Sequence, residues 1–431
     1  MNYIMPIFLL VFMFTSCSIK SEQHTSKSAT NKYRLIWNGN PKTTMTIAWN
    51  QNRGQGYVRY GLSKDVKNKV LPQRQVIYRG MNNNFVRLKE LNPNSRYYFK
   101  VCTKTDCSKV MYFKTAPDGN ESFTFISGGD SRSIVRGRVR GNILVSKIRP
   151  LFIAHGGDYT SNGTAKEWSR WLDEWQLTKS SDGRLYPLIL THGNHENADL
   201  EMLHKLFDIP NVDAYYKIDF DFLSLYILNT ELEPEVEQYN FILTDDTKWQ
   251  EQKRWLEKTL KKDNKQWKIV SYHRPLRPHR ASKAEGKLRY SDWASLFYKH
   301  DVELVIESDS HLVKYTEPLK PNIYGDEGFS VDKEHGTTYI GEGSWGAPTR
   351  ENDDDKSWTI DSGKFWQFKL ITVNVNNLAV RTVKFGDEEL DYDAKKVHGI
   401  TQAEQNANVT VLPDNLDIWE SKGGKVLLLK K

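Results

Sequence analysis

Cysteine is scarce. Only Cys17, Cys102 and Cys107 occur in 431 residues, too few for an iron–sulfur cluster or a four-thiolate zinc site. No low-complexity tract and no internal repeat interrupts the chain, so its composition is that of an ordinary globular protein. Beyond the first sixteen residues no run is long and apolar enough to span a bilayer. Basic residues exceed acidic ones, 61 to 54, for a net charge of +7. They are dispersed, and no basic stripe alternates with aromatics, so no nucleic-acid partner is expected. The excess mildly favours anionic substrates or surfaces. What the chain has in plenty is core-forming aromatics, 13 Trp, 21 Tyr and 18 Phe, and a length that suits two domains.

The first eighteen residues, MNYIMPIFLLVFMFTSCS, form an apolar stretch of signal-peptide length that ends in small residues at Cys17. FTSC resembles a bacterial lipobox, with Phe14 where Leu is usual and no Lys or Arg ahead of the run. That implies a signal peptide over 1–16, a lipidated Cys17 on a polar tether over 17–32, and an exported protein anchored to a bacterial membrane, on its periplasmic or cell-surface face. An ordinary secretory signal with an incidental cysteine is the alternative. Cys102 and Cys107 flank a polar turn between two strand-like runs. In an oxidising compartment they are expected to pair, free thiols being the alternative.

Residues 33–117 read as an all-β sandwich: TMTIAW, GYVRYG, NNFVRL and RYYFKV alternate apolar and polar residues between turn signals. KTAPDGNES then marks a boundary. From 118 to 395 strands alternate with helices, an α/β texture. TAKEWSRWLDEWQL opens with a capping-box pattern at Thr164 and Glu167. Its Trp168, Trp171 and Trp175 share a face, read as core in preference to a sugar-gripping surface. TKWQEQKRWLEKTLKKD is a second amphipathic helix, with Trp249, Leu256 and Leu260 inward. Residues 396–431 are a C-terminal extension, in which NVTVLPDN and GKVLLLKK are candidate strands.

Five apolar runs end on polar residues: Asp130, Asp158, Asn194, His273, and the pair Asp309 and His311. Ligands of α/β sheets gather at the carboxyl ends of strands. Singly, each residue is more often a turn, a cap or a structural histidine. Together they form a mixed N/O donor set that suits Mn, Fe, Zn or Mg, not copper.

In order, GGDSR, GGDYTSNG, THGNHE, YHRPL and SDSH resemble the blocks of the calcineurin-like metallophosphoesterases. TMTIAW, VRYG and FKTAP resemble the fibronectin-III-like N-terminal domain of purple acid phosphatases. The resemblance implies a four-layer α/β sandwich, two mixed sheets flanked by helices, behind the all-β domain. It implies two divalent or trivalent metal ions, with Asp158 bridging, Asp130 and His311 on the first, and Asn194, His273 and Asp309 on the second. The implied reaction is in-line attack of metal-bound hydroxide on phosphorus. His195 would contact the phosphoryl oxygen or leaving group, oriented by Glu196.

The chain departs from the family at three places. Asp309 stands where the family has His, a harder ligand favouring Mn, Fe or Mg over Zn. Arg132 stands where many members have His. It cannot be a ligand, and either clamps phosphate oxygens or faces outward. Ser161 occupies the position of the tyrosine that colours purple acid phosphatases, and Tyr159 is on the wrong side of the alternation, so no purple colour is expected. Arg274 and His279 are candidates for the phosphate pocket. His155 and His192 are expected to pack behind it, and Trp345 and Arg350 to line its rim.

The expected activity is phosphomonoester hydrolysis on a phosphorylated small molecule or glycan, with Arg132, His195 and Arg274 holding the dianion. Phosphodiester hydrolysis is the alternative within the class. A degenerate, non-catalytic metal- or ligand-binding lipoprotein is the alternative outside it.

Overall fold

The computed structural model describes residues 28–133, 135–196, 199–234, 247–386, 406–410, 412–413 and 416–431. Cys17, the apolar leader and most of the tether lie outside the described residues. Strand Thr30–Ile36 begins inside the expected tether, so ordered structure starts before residue 33.

Two mixed sheets carry the fold. In the first, strands Phe123–Gly128, Ile153–His155 and Pro187–Leu190 run parallel, with Ile153 opposite both Ile126 and Leu188. Trp366–Val373 and Asn377–Phe385 extend it antiparallel on one side. In the second sheet, Leu223–Ile227, Trp267–Ser271, Leu304–Ile306 and Thr338–Gly341 run parallel. Successive side chains of a strand point to opposite faces. Leu225, Ile269 and Leu304 accordingly join the core between the sheets, while Tyr226, Val270 and Val305 face outward onto Trp249, Leu256 and Leu260 of helix Thr247–Lys262. Helix Val135–Ile148 lies on the other side against Trp366–Val373 and Asn377–Phe385. The order is helix, sheet, sheet, helix, as the α/β expectation had it.

Helix Ala165–Trp175 has its capping box: the Thr164 hydroxyl accepts from the Glu167 N–H, and the Thr164 N–H donates to the Glu167 carboxylate. Trp168, Trp171 and Trp175 are buried, with Trp171 stacked on Trp175 at 4.8 Å. They are core residues and present no sugar-binding face.

The all-β domain differs from the expectation in one respect. One of its sheets, Asn68–Val70, Tyr57–Gly61, Arg96–Cys102 and Met111–Lys114, is its own. The other continues into the first mixed sheet, because Thr30–Ile36 pairs in parallel with Pro187–Leu190, Leu35 opposite Pro187 and Ile36 opposite Leu188. A single ten-stranded sheet results. The C-terminal extension returns to its far edge, where Leu427–Lys430 pairs with Asn377–Phe385. Among the described residues, NVTVLPDN contributes no strand. Cys102 and Cys107 form the expected disulfide.

Buried charge reinforces the joint. Asp208, in left-handed conformation at the end of helix Met202–Phe207, has no exposed side-chain surface. Its carboxylate accepts from Arg87 at 2.6 and 2.7 Å and from Arg74 at 3.2 Å, both from the all-β domain. Arg34, fully buried, donates to the Leu206 carbonyl at 2.8 Å. Removing one partner of a buried ion pair costs roughly 3–5 kcal/mol, less where the other partner reaches water. Asp208→Ala is therefore expected to lower unfolding free energy by about 2–3 kcal/mol, read from urea denaturation. An unchanged midpoint would remove this carboxylate from the joint.

Candidate metal centre

The donors arrive from the carboxyl ends of parallel strands in both sheets. Asp130 follows Phe123–Gly128, Asp158 follows Ile153–His155, and Asn194 follows Pro187–Leu190. His273 follows Trp267–Ser271, and Asp309 and His311 follow Leu304–Ile306. Asp130, Asp158, Asp309 and His311 all have positive φ, 59°, 55°, 72° and 62°. Backbones in this sparsely populated region concentrate at functional sites. Glycine permits the crowding. A Cβ on Gly157, at φ 95°, would lie 2.8 Å from both the Gly193 nitrogen and His273 Nδ1.

Two buried triads result, Asp130–Asp158–His311 and Asp158–His273–Asp309, each with its donor atoms within 4.8 Å of one another. Asp158 belongs to both. Backbone carbonyls set the imidazole tautomers. His273 Nδ1–H donates to the Gly156 carbonyl at 2.8 Å, and His311 Nδ1–H to that of Pro348 at 3.1 Å. Each Nε2 is left facing the site. His273 Nε2 lies 3.0 Å from Asn194 Oδ1, 3.3 Å from Asp158 Oδ1 and 3.7 Å from Asp309 Oδ1. Four potential donor atoms thus converge, an arrangement met by a proton on Nε2 or by a cation in its place. A divalent ion fits there.

The protonation equilibria carry the same demand. Burial would push the Asp158 carboxyl up, but the His273 imidazolium, Arg132 and His195 hold it well below the usual range. Asp309 is likewise opposed by burial and held down by His273 and Lys283. His273, against burial, is pushed well up by Asp158, Asp309 and Asp130. With no metal, a proton supplies the missing positive charge.

Lys283 Nζ donates to Asp309 Oδ1 at 2.5 Å. It thereby balances the extra negative charge that Asp brings in place of His. Arg132 turns inward, its side chain 12% exposed. Its guanidinium contacts His195 Nε2, lies 3.0 Å from Asp158 Oδ2 and donates to His311 Nε2 at 3.3 Å. His195 Nδ1–H donates to the Ser161 carbonyl. Glu196, expected to orient His195, does something else: buried, it accepts from the N–H groups of Asp158, Tyr159 and Gly193 at 2.9, 3.1 and 3.0 Å. It fixes the backbone that aims Asp158.

Arg274 lines a pocket of about 680 Å³ with Asn194, Lys283, Lys287 and Asp309, and is tied to Glu231 at 2.7 Å. His279 is not in that lining. It is fully buried, with Nε2 2.6 Å from Thr359 Oγ1 and its ring against Trp358, so the structure places it away from the pocket it was expected to line. Trp345 is buried against His155 and Phe368 and lines no rim. The Arg350 N–H anchors the His311 carbonyl at 2.9 Å. His155 and His192 are buried as expected, and burial pushes their imidazoles down to about 3 and about 4. Tyr159 is buried with its hydroxyl donating to the Thr191 carbonyl, and the Ser161 hydroxyl accepts from the Ser133 N–H. Lys283 and the carbonyl of Ser161 are parts of the site that sequence reasoning missed. Lys283 sits in a loop with no motif, and a backbone carbonyl leaves no trace in side-chain identity.

Comparison with known proteins agrees with this geometry. Residues 30–115 match the family described as purple acid phosphatase, N-terminal domain, and residues 138–313 match calcineurin-like phosphoesterase. The chain thus has a calcineurin-like phosphoesterase domain in a purple-acid-phosphatase-like arrangement. It resembles an uncharacterized protein of Mycobacterium tuberculosis, 21% identical over 334 residues, 66% of this chain and 62% of that one. It also resembles probable purple acid phosphatase 20 of Arabidopsis thaliana, 25% identical over 268 residues, 55% and 56%. The chain therefore spans about three fifths of the length of these curated relatives. In fold it resembles a purple acid phosphatase from yellow lupin (Lupinus luteus) seeds, TM-score 0.67 at 18% identity, covering 83% of this chain and 72% of that one. PhoD is similar too, TM-score 0.62 at 12% identity, covering 84% and 88%.

Loss of a group that orients a metal ligand typically weakens binding 10–100-fold. Glu196→Gln, which sets an amide N–H₂ against backbone donors, is expected to weaken metal binding by about that factor in calorimetric titration. Unchanged affinity would leave Glu196 a packing residue. Asp309→His is expected to shift the Zn(II)-to-Mn(II) affinity ratio towards zinc by about 10-fold. An unmoved ratio in competition titrations would remove Asp309 from the donor set.

Proposed function

We propose that the protein is a metal-dependent phosphomonoesterase. The observation that carries this reading is the pair of ligand triads sharing Asp158 at the edge of an open pocket lined by Arg274, Lys283 and Lys287. Asp158, Asn194, His273 and Asp309 would hold a divalent ion. Such an ion polarises phosphoryl oxygens and makes a water acidic enough to be a nucleophile near neutral pH.

The chain's own residues do the rest. Arg132 offers a permanent cation beside the ligands and suits phosphoryl oxygens. Arg274, held by Glu231, presents a second cation at the pocket wall. A dianionic monoester gains more from these charges than a monoanionic diester does. His195 reaches the site with Nδ1–H fixed on the Ser161 carbonyl, so its Nε2 presents a lone pair, which meets Arg132 beside the pocket. Its side chain is 27% exposed, so it can meet a substrate entering from solvent. The hard donor set favours Mn, Fe or Mg. Export and lipid anchoring at Cys17 complete the proposal, with substrates reached at a membrane surface.

The test is hydrolysis of 4-nitrophenyl phosphate and bis(4-nitrophenyl) phosphate by residues 18–431, before and after chelation. Expected is monoester turnover exceeding diester turnover by 10-fold or more, abolished by chelator and restored by metal. Faster diester hydrolysis would make the protein a diesterase. Bound metal with no turnover of either ester would make it a binding protein.

A further inference from the structure

The geometry points to a centre that takes one metal ion, with the guanidinium of Arg132 as the resident cation where the family plan has another. This rests on the metal-centre reading proposed above and concerns how many ions the chain's own residues admit.

The two positions differ in their donors. At the position built on His273, the Nε2 lone pair faces only oxygens, those of Asn194, Asp158 and Asp309. A proton on Nε2 reconciles them, and a metal ion in place of that proton would meet four donors. At the other position the donor set is Asp130, Asp158 and His311. Its nitrogen ligand is already engaged. His311 Nδ1 carries the proton it donates to Pro348, so Nε2 has a single lone pair. That lone pair accepts from Arg132 Nη2 at 3.3 Å. The same Nη2 lies 3.0 Å from Asp158 Oδ2, the carboxylate oxygen turned away from His273. An imidazole nitrogen spends its lone pair once, on a hydrogen bond or on a metal.

The nearby alternative ligand is engaged as well. His195 Nδ1–H donates to Ser161, and its Nε2 lone pair meets Arg132 Nη1. Both free imidazole nitrogens on this side of Asp158 are therefore occupied by one guanidinium. A guanidinium has no lone pair to offer a metal, so it occupies the position without serving as a ligand. Asp130 Oδ1 remains buried with no hydrogen-bond donor, 3.2 Å from His311 Nε2, and answers to the same positive charge through space. Arg132 is held in place by its own backbone, whose N–H donates to the Asp158 carbonyl at 3.1 Å.

The consequence is a phosphoryl-binding face made of one ion and one guanidinium. Arg132 supplies fixed positive charge there, on a group already anchored to His195, His311 and Asp158.

The experiment is metal stoichiometry of residues 18–431 loaded with Mn(II), by elemental analysis and calorimetric titration, with electron paramagnetic resonance of the loaded protein. Expected is one ion per chain and the hyperfine-split spectrum of an isolated Mn(II). Arg132→Ser, which frees both lone pairs, and Arg132→His, which adds a ligand, are each expected to bind a second ion and give an exchange-coupled spectrum. Circular dichroism confirms that each variant is folded. Two ions in the unaltered protein would overturn the proposal. So would one ion in both folded variants, because Arg132 would then not be what excludes the second. No ion in the unaltered protein or either variant would overturn the metal-centre reading itself.

Discussion

Asp158 is a carboxylate with no access to water, and the site is organised around keeping it charged. Burying an ionised carboxylate is tolerable only beside compensating charge and hydrogen bonds. Every element near it supplies some. The His195 N–H donates to Oδ1 at 2.9 Å, His273 stands beside the same oxygen, and Arg132 stands beside Oδ2. Glu196 grips the backbone on either side of the aspartate. The two sheets must meet with their strand ends aligned for these partners to arrive together, so the architecture and the charge are one constraint.

Charge balance also explains the substitutions that set this chain apart. Replacing a neutral imidazole by Asp309 adds a negative charge to a buried cluster. Lys283 arrives from a loop to offset it. Arg132 adds a positive charge two residues after Asp130. Lys283 and Arg132 thus offset the negative charge gathered in the buried cluster.

Much of this was legible in the order of residues. Strand ends and their donors could be read because a buried parallel strand is an uninterrupted apolar run and the residue after it is drawn to the ligand face. The tryptophan faces of both helices followed from helical periodicity. Three things were not legible. Whether Arg132 turned in or out depends on a left-handed backbone at φ 49°, which no local pattern demands of an arginine. The job of Glu196 is to accept from three backbone N–H groups, and motif logic that pairs side chains with side chains assigned it to His195. His279 sits in the basic stretch HRPLRPHR and Trp345 in the glycine-rich stretch GEGSWG, which read as pocket and rim. Both are pulled under by neighbours distant in sequence, Thr359 and Trp358 for one, His155 and Phe368 for the other.

The continuous ten-stranded sheet bears on what counts as a module. Recognisable sequence blocks break near residue 116, and a gene could be cut there. The protein could not. Excising the N-terminal part would strip Thr30–Ile36 from Pro187–Leu190, the strand that leads to Asn194. It would leave a bare apolar edge whose unpaired backbone invites association with other chains. The N-terminal part is better regarded as an extension of the sheet that carries the site than as an accessory attached to it.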